Sequence, residues 1–69
     1  MTDTKKLLEC IKRSGLRKGY IAEKMGLSPG ALGNKIANRS EFKASEIETI
    51  CSLLGIESME EVEALFFAQ

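Results

Sequence analysis

YIAEKMGLSPGALGNKI, residues 20–36, places Gly26, Ser28, Pro29, Gly30 and Gly33 within eight residues of a chain otherwise rich in helix formers. Glycine costs about 1 kcal/mol and proline about 3 kcal/mol relative to alanine inside a helix. The stretch is therefore either an unstructured linker or a shaped turn between two helices. The order of its residues favours the turn. Gly26 follows the apolar-periodic Ile21, Ala22 and Met25, at the position just past a helix end where a left-handed backbone is wanted. Ser28 offers an oxygen to the first turn of a following helix, and Pro29 sits at its first position, where a missing N–H does no harm. Only Leu27 separates the stop from the start. A tight helix–turn–helix follows, with Ala22 small enough to let the later helix pack close across the earlier one.

Working outward, apolar residues recur at helical spacing on both sides, and no stretch alternates with a period of two. Leu7, Leu8, Cys10 and Ile11 predict a first helix over 3–14, ended by Ser14-Gly15. The second spans 18–25 and the third 29–37, with Leu32 and Ile36 turned inward. NRSEFK, 38–43, reads as a polar loop whose single aromatic, Phe42, plugs the core. Ile47, Ile50, Cys51 and Leu54 predict a fourth helix over 44–54, opened by a capping box of Ser45 with Glu48 and closed by Gly55. Ser58 with Glu61 repeats that pattern before a fifth helix, 58–67, that turns Met59, Val62, Leu65 and Phe66 inward. The expectation is one all-α domain over 1–69. A chain this short buries roughly 60% of its unfolded surface, which leaves little stability to spare.

Composition narrows the function classes. There is no histidine, the single aspartate Asp3 lies in an N-terminal stretch that reads as unstructured, and no glycine-rich phosphate loop is present. Catalysis is thus not expected. Cys10 and Cys51 lack metal-ligand spacing and fall in apolar-periodic segments, where free thiols act as small hydrophobes in a reducing cytoplasm. No metal, cofactor or small-molecule substrate is expected, and no membrane segment is legible. Net charge is zero, yet all ten Lys and Arg lie at or before Lys43, and the last 24 residues carry six glutamates and no base. With only four acids among residues 1–45, the two parts carry +6 and −6. Charge asymmetry of this kind points to contact with nucleic acid.

Lys18, Ile21-Ala22, Gly26, Leu27 and Leu32 stand at the spacing of the helix–turn–helix in phage Cro-type repressors. The continuation LGNKIANRSEFKASEIETICSLLGI is similar to that of short Gram-positive phage regulators. The resemblance covers Leu7 to Ile56 and implies a five-helix, lambda-repressor-like domain with the motif at 18–37. It also implies a repressor that acts in the bacterial cytoplasm as a homodimer on double-stranded DNA, at a short inverted-repeat operator. Two departures stand out: RKGY opens the second helix with a poor N-cap, Arg17, and Lys35 replaces an aliphatic residue, leaving Ile36 to face inward.

In such motifs the N-terminal part of the third helix meets base edges in the major groove. Here that edge presents Ser28, Pro29, Gly30, Ala31, Gly33 and Asn34. Asn34 is the strongest reader, since its amide can pair with adenine. Gly30 and Gly33 either let the backbone lie deep in the groove or are merely tolerated on an exposed face. Phosphate contacts fall to Arg17, Lys18 and Tyr20 before the helix, and to Lys35, Asn38, Arg39, Ser40 and Lys43 after it. Unpaired N–H groups near Lys18 and Ser28 add to them. At the acidic end, Phe66 and Phe67 are adjacent, about 100° apart around a helix, and are the candidate partner contacts. Phe66 covers the domain, and Phe67 either meets a second copy or folds back on the first helix. A competing reading makes the chain a protein-interaction module, such as an antirepressor that binds another regulator through its acidic aromatic tail.

Overall fold

Most helices of this protein start and stop at a local chemical signal. The computed structural model describes residues 1–69 and contains five helices and no strand: α1 Thr4–Ser14, α2 Lys18–Met25, α3 Pro29–Ile36, α4 Ala44–Leu54 and α5 Met59–Phe66. Asp3 belongs to the structure, since its carboxylate accepts the Lys6 N–H at 3.1 Å and caps α1. Ser28 Oγ accepts the Ala31 N–H at 3.1 Å with Pro29 behind it, and Ser58 Oγ accepts from Glu60 and Glu61 at the head of α5. Gly26 ends α2 at φ +71°, where its own N–H bonds back to Glu23 and that of Leu27 to Ala22 at 2.8 Å. A side chain at that φ would meet the following carbonyl, so the glycine is required.

Two helix starts differ from this scheme. Arg17, the residue before α2, supplies no side-chain cap. The α4 cap is displaced from the expected Ser45–Glu48 pair, both of which lie inside the helix. Glu46 Oε1 accepts the Lys43 N–H at 2.8 Å, which forms half of a capping box because a lysine side chain cannot accept in return. The capping oxygen also has a partner outside α4. Lys35 reaches over from α3 and holds the same Glu46 oxygen at 3.0 Å.

One core joins all five helices: Leu7, Ile11, Ile21, Ala22, Leu32, Ile36, Ile50, Cys51, Ile56, Leu65 and Phe66. The fully buried Ala22 lets α2 lie close on α3, while α1 touches α3, α4 and α5. Phe42 does plug the core, meeting Phe66 edge-on with ring centroids 5.3 Å apart. Met59, expected inward, is 71% exposed instead, because Val62, Leu65 and Phe66 already fill the inward arc of α5. Both thiols are free. Cys51 is buried and Cys10 only half-buried. Burial, and then the charge of Glu61, push the Cys51 thiol up and keep it protonated. No helix is long and apolar enough to cross a membrane.

The N-terminal segment is stapled to the end of α3 on one side and to the C-terminal end of the chain on the other. Thr2, itself buried, gives its N–H to Asn38 Oδ1 at 2.8 Å and takes Asn38 Nδ2 on its carbonyl at 2.7 Å. Thr4 Oγ1 donates to the Ile36 carbonyl at 2.6 Å. On the other side, Asp3 N–H reaches Leu65 O at 2.7 Å and Ala68 N–H reaches Met1 O at 2.9 Å. Asn38 holds φ +65°, the one non-glycine residue in the left-handed region, and this ends α3 at Ile36.

Candidate nucleic-acid interface

The outer face of α3 is nearly bare. Leu32 and Ile36 point into the core, which leaves Pro29, Gly30, Gly33, Asn34 and Ala37 exposed and Ala31 half-buried. A Cβ added at Gly30 or Gly33 would meet no atom within 4 Å. Neither glycine is therefore demanded by packing inside the molecule. Their smallness leaves the backbone of α3 accessible from outside along this stripe. Of the early N–H groups, Pro29 has none and that of Ala31 is taken by Ser28 Oγ, which leaves the Ser28 and Gly30 N–H groups to meet an anion there.

At the far end of the stripe, Asn34 and Arg39 form a pair. The Arg39 backbone N–H bonds to the Asn34 carbonyl at 2.8 Å, folding the chain back after α3. Arg39 Nη1 lies 3.4 Å from Asn34 Oδ1 on the same exposed surface. This contact orients the amide with its NH₂ group still free to donate.

Flanking positions divide into free and committed groups. Arg17, Lys18 and Tyr20 are exposed at the head of α2, where the missing cap leaves the first N–H groups without a side-chain acceptor. Lys24, absent from the expected set, belongs with them: its ammonium stands 5.6 Å from the centre of the Tyr20 ring. The four-residue spacing of Tyr20 and Lys24 was the available signal. Ser40 and Lys43 are exposed in the loop before α4.

Lys35 and Asn38, in contrast, are spent inside the protein. Lys35 Nζ donates to the Glu41 carbonyl at 2.9 Å and pairs with Glu46, with both side chains nearly covered. Its ammonium finds both partners beyond the end of α3, one in the following loop and one on α4. The Lys43 N–H first, and then Lys35, hold the Glu46 carboxyl below its ordinary value against the opposing effect of burial. Asn38 has both ends of its amide on Thr2. Sequence spacing could not reveal either commitment, because the partners lie on other elements. At the acidic end, Phe66 is 4% exposed and closed to any partner, while Phe67 is 59% exposed. The α5 helix that carries Glu60, Glu61 and Glu63 packs on α1.

Comparison with protein-family models, with curated proteins and with solved structures finds no match to this chain. The functional reading rests on the residues themselves.

Proposed function

We propose that the chain is a sequence-specific double-stranded DNA-binding regulator of the Cro-type, lambda-repressor-like kind, acting in the bacterial cytoplasm as a homodimer on a short inverted repeat, without catalysis. One observation carries the proposal. The α3 helix exposes an open Gly30–Gly33 stripe that ends in the Asn34–Arg39 pair, and no internal contact demands those glycines. A major groove about 12 Å wide admits such a helix, and the small residues let its backbone approach the base edges. Asn34 donates to a base while Arg39 braces it. Arg17, Lys18, Tyr20 and Lys24 on one side, and Ser40 and Lys43 on the other, meet the phosphates that fix register. With few long side chains on α3, DNA shape supplies part of the specificity.

Selection of bound duplexes from a random pool, followed by sequencing, tests this reading. An enriched inverted repeat is the expected result, and recovery of unenriched DNA at every salt concentration would refute it. On the selected site, Asn34→Ala should lower the preference over random DNA by roughly 1–3 kcal/mol. An equal loss on both DNAs would move Asn34 to a backbone role. Four phosphate-facing cations per protomer, Arg17, Lys18, Lys24 and Lys43, imply a log–log salt slope of roughly −3 to −4 for each protomer.

A second reading, a protein-interaction module, draws on the exposed Phe67 and Met59 of the acidic end. It predicts no salt-sensitive DNA binding at all.

A further inference from the structure

A carboxamide such as that of Asn34 has two ends of opposite sense: Oδ1 accepts hydrogen bonds and the Nδ2 group donates them. With both ends open it matches adenine, whose N6 amino group donates to the oxygen while N7 accepts from the nitrogen. In the folded chain the two ends are not equally open. Arg39 Nη1 stands 3.4 Å from Oδ1, and both side chains lie on the exposed surface. A guanidinium carries no acceptor, so the amide must turn its oxygen to Arg39 and its NH₂ group away.

The backbone holds Arg39 in this place. Its N–H closes on the Asn34 carbonyl at 2.8 Å, and the Ser40 N–H reaches the same oxygen at 3.4 Å. One residue earlier, Asn38 sits at φ +65° with both ends of its amide on Thr2. No carboxylate neutralises the guanidinium, since the one ion pair of the molecule joins Lys35 to Glu46.

We infer that Asn34 and Arg39 together read guanine, and not adenine, at one position of each half-site. This rests on the DNA-binding reading above and names the base that its site selects. Every group the pair offers outward is a donor: the Nδ2 hydrogens of Asn34 and the N–H groups that Arg39 does not give to Oδ1. Guanine is the base whose major-groove edge sets two acceptors side by side, N7 and O6. Adenine places an amino group beside its N7, cytosine presents an amino group, and thymine has a single acceptor beside its methyl group. Oδ1 keeps a second lone pair, but an amino group seated on it would bring its hydrogens against the guanidinium charge. Two acceptors instead meet positive potential from both side chains. Arg39, grouped in sequence with the phosphate contacts, thereby becomes a specificity-determining residue.

Duplexes built from the selected operator test this. The position read by Asn34 is the one at which Asn34→Ala loses its base preference, and each base is placed there in turn. The wild-type chain should bind the guanine duplex at least about fivefold tighter than the adenine duplex. Replacing that guanine by 7-deazaguanine, which lacks the N7 acceptor, should weaken binding severalfold. Arg39→Ala should lower affinity on every duplex and also move the preferred base from guanine to adenine, because Oδ1 is then open to the N6 amino group. Both side chains are exposed, so neither substitution should unfold the chain. An Arg39→Ala variant that loses affinity by one factor on all duplexes, with the order of bases unchanged, would overturn the inference. So would a wild-type preference for adenine, indifference to 7-deazaguanine, or an Asn34→Ala variant with every base preference intact. Each of those outcomes leaves DNA binding itself in place, whereas a pool that enriches no site refutes the DNA-binding reading and this inference together.

Discussion

The turn between α2 and α3 and the staple that joins the N-terminal segment to α3 hold opposite ends of the same helix by different means. At the turn, every bond is local: Gly26 closes on Glu23, Leu27 on Ala22, and Ser28 on Ala31. At the staple, Asn38 bonds to Thr2 across 36 residues and Thr4 bonds to Ile36 across 32. The first sets where α3 begins. The second sets where it ends and fixes it to α1 and α5. The exposed face of α3 carries a single side-chain contact, Asn34 with Arg39, so the helix is held from both ends and from beneath.

The severest way to break this comparison is from beneath. Leu32 is 1% exposed on the inward side of α3, and Leu32→Ala should cost about 3 kcal/mol by lost burial and cavity formation. In so small a domain, that loss should lower the melting temperature by roughly 12–24 °C. A loss under about 1 kcal/mol would mean that α3 does not bear on the core.

Next comes the staple. Asn38→Ala removes its bonds to Thr2 and leaves a Cβ residue at φ +65° with no compensating side chain, for an expected loss of about 2 kcal/mol. Asn38→Gly relaxes the backbone and isolates the hydrogen bonds, so it should recover about half of that loss. Equal melting temperatures for the two variants would show that backbone conformation contributes nothing at this position.

At the bare stripe the expected sign reverses. Gly33→Ala meets no neighbour and replaces the poorest helix former after proline, so it should stabilise the fold by about 0.5–1 kcal/mol. The same methyl group stands on the proposed groove-facing surface and should weaken operator binding. Gain of stability with loss of affinity is the signature sought. A gain in both would assign Gly33 to an unused face.

The smallest effect concerns Lys35 and Glu46, which tie α3 to α4. Because the Glu46 carboxyl is held below its ordinary value of 4.5, its contribution is fully present above that pH and lost as pH falls through the lowered value. The amount is small, because the desolvation of two nearly covered side chains opposes their attraction. Chemical denaturation at pH 7 and in the acid range should show the loss, and Glu46→Gln should flatten it. An unchanged slope would remove Glu46 from the acid response.

The sequence by itself determined the five helices and most of their ends. Capping serines, helix-ending glycines and apolar periodicity act over three or four residues, and their geometry is the same wherever they occur. It also marked Asn34, Arg39 and Arg17–Tyr20 as exposed candidates, and Phe42 as a core plug. Tertiary structure decided what each polar side chain is used for. Lys35 and Asn38 resemble their basic and polar neighbours in sequence, yet one is consumed by Glu46 and the other by Thr2. The outward Met59 and the ordered N-terminus likewise follow from contacts between distant segments. Local signals choose an element because they depend on backbone geometry alone. Whether a charged or amide group stays free depends on which partner the fold brings within about 3 Å, and that no short window of sequence contains.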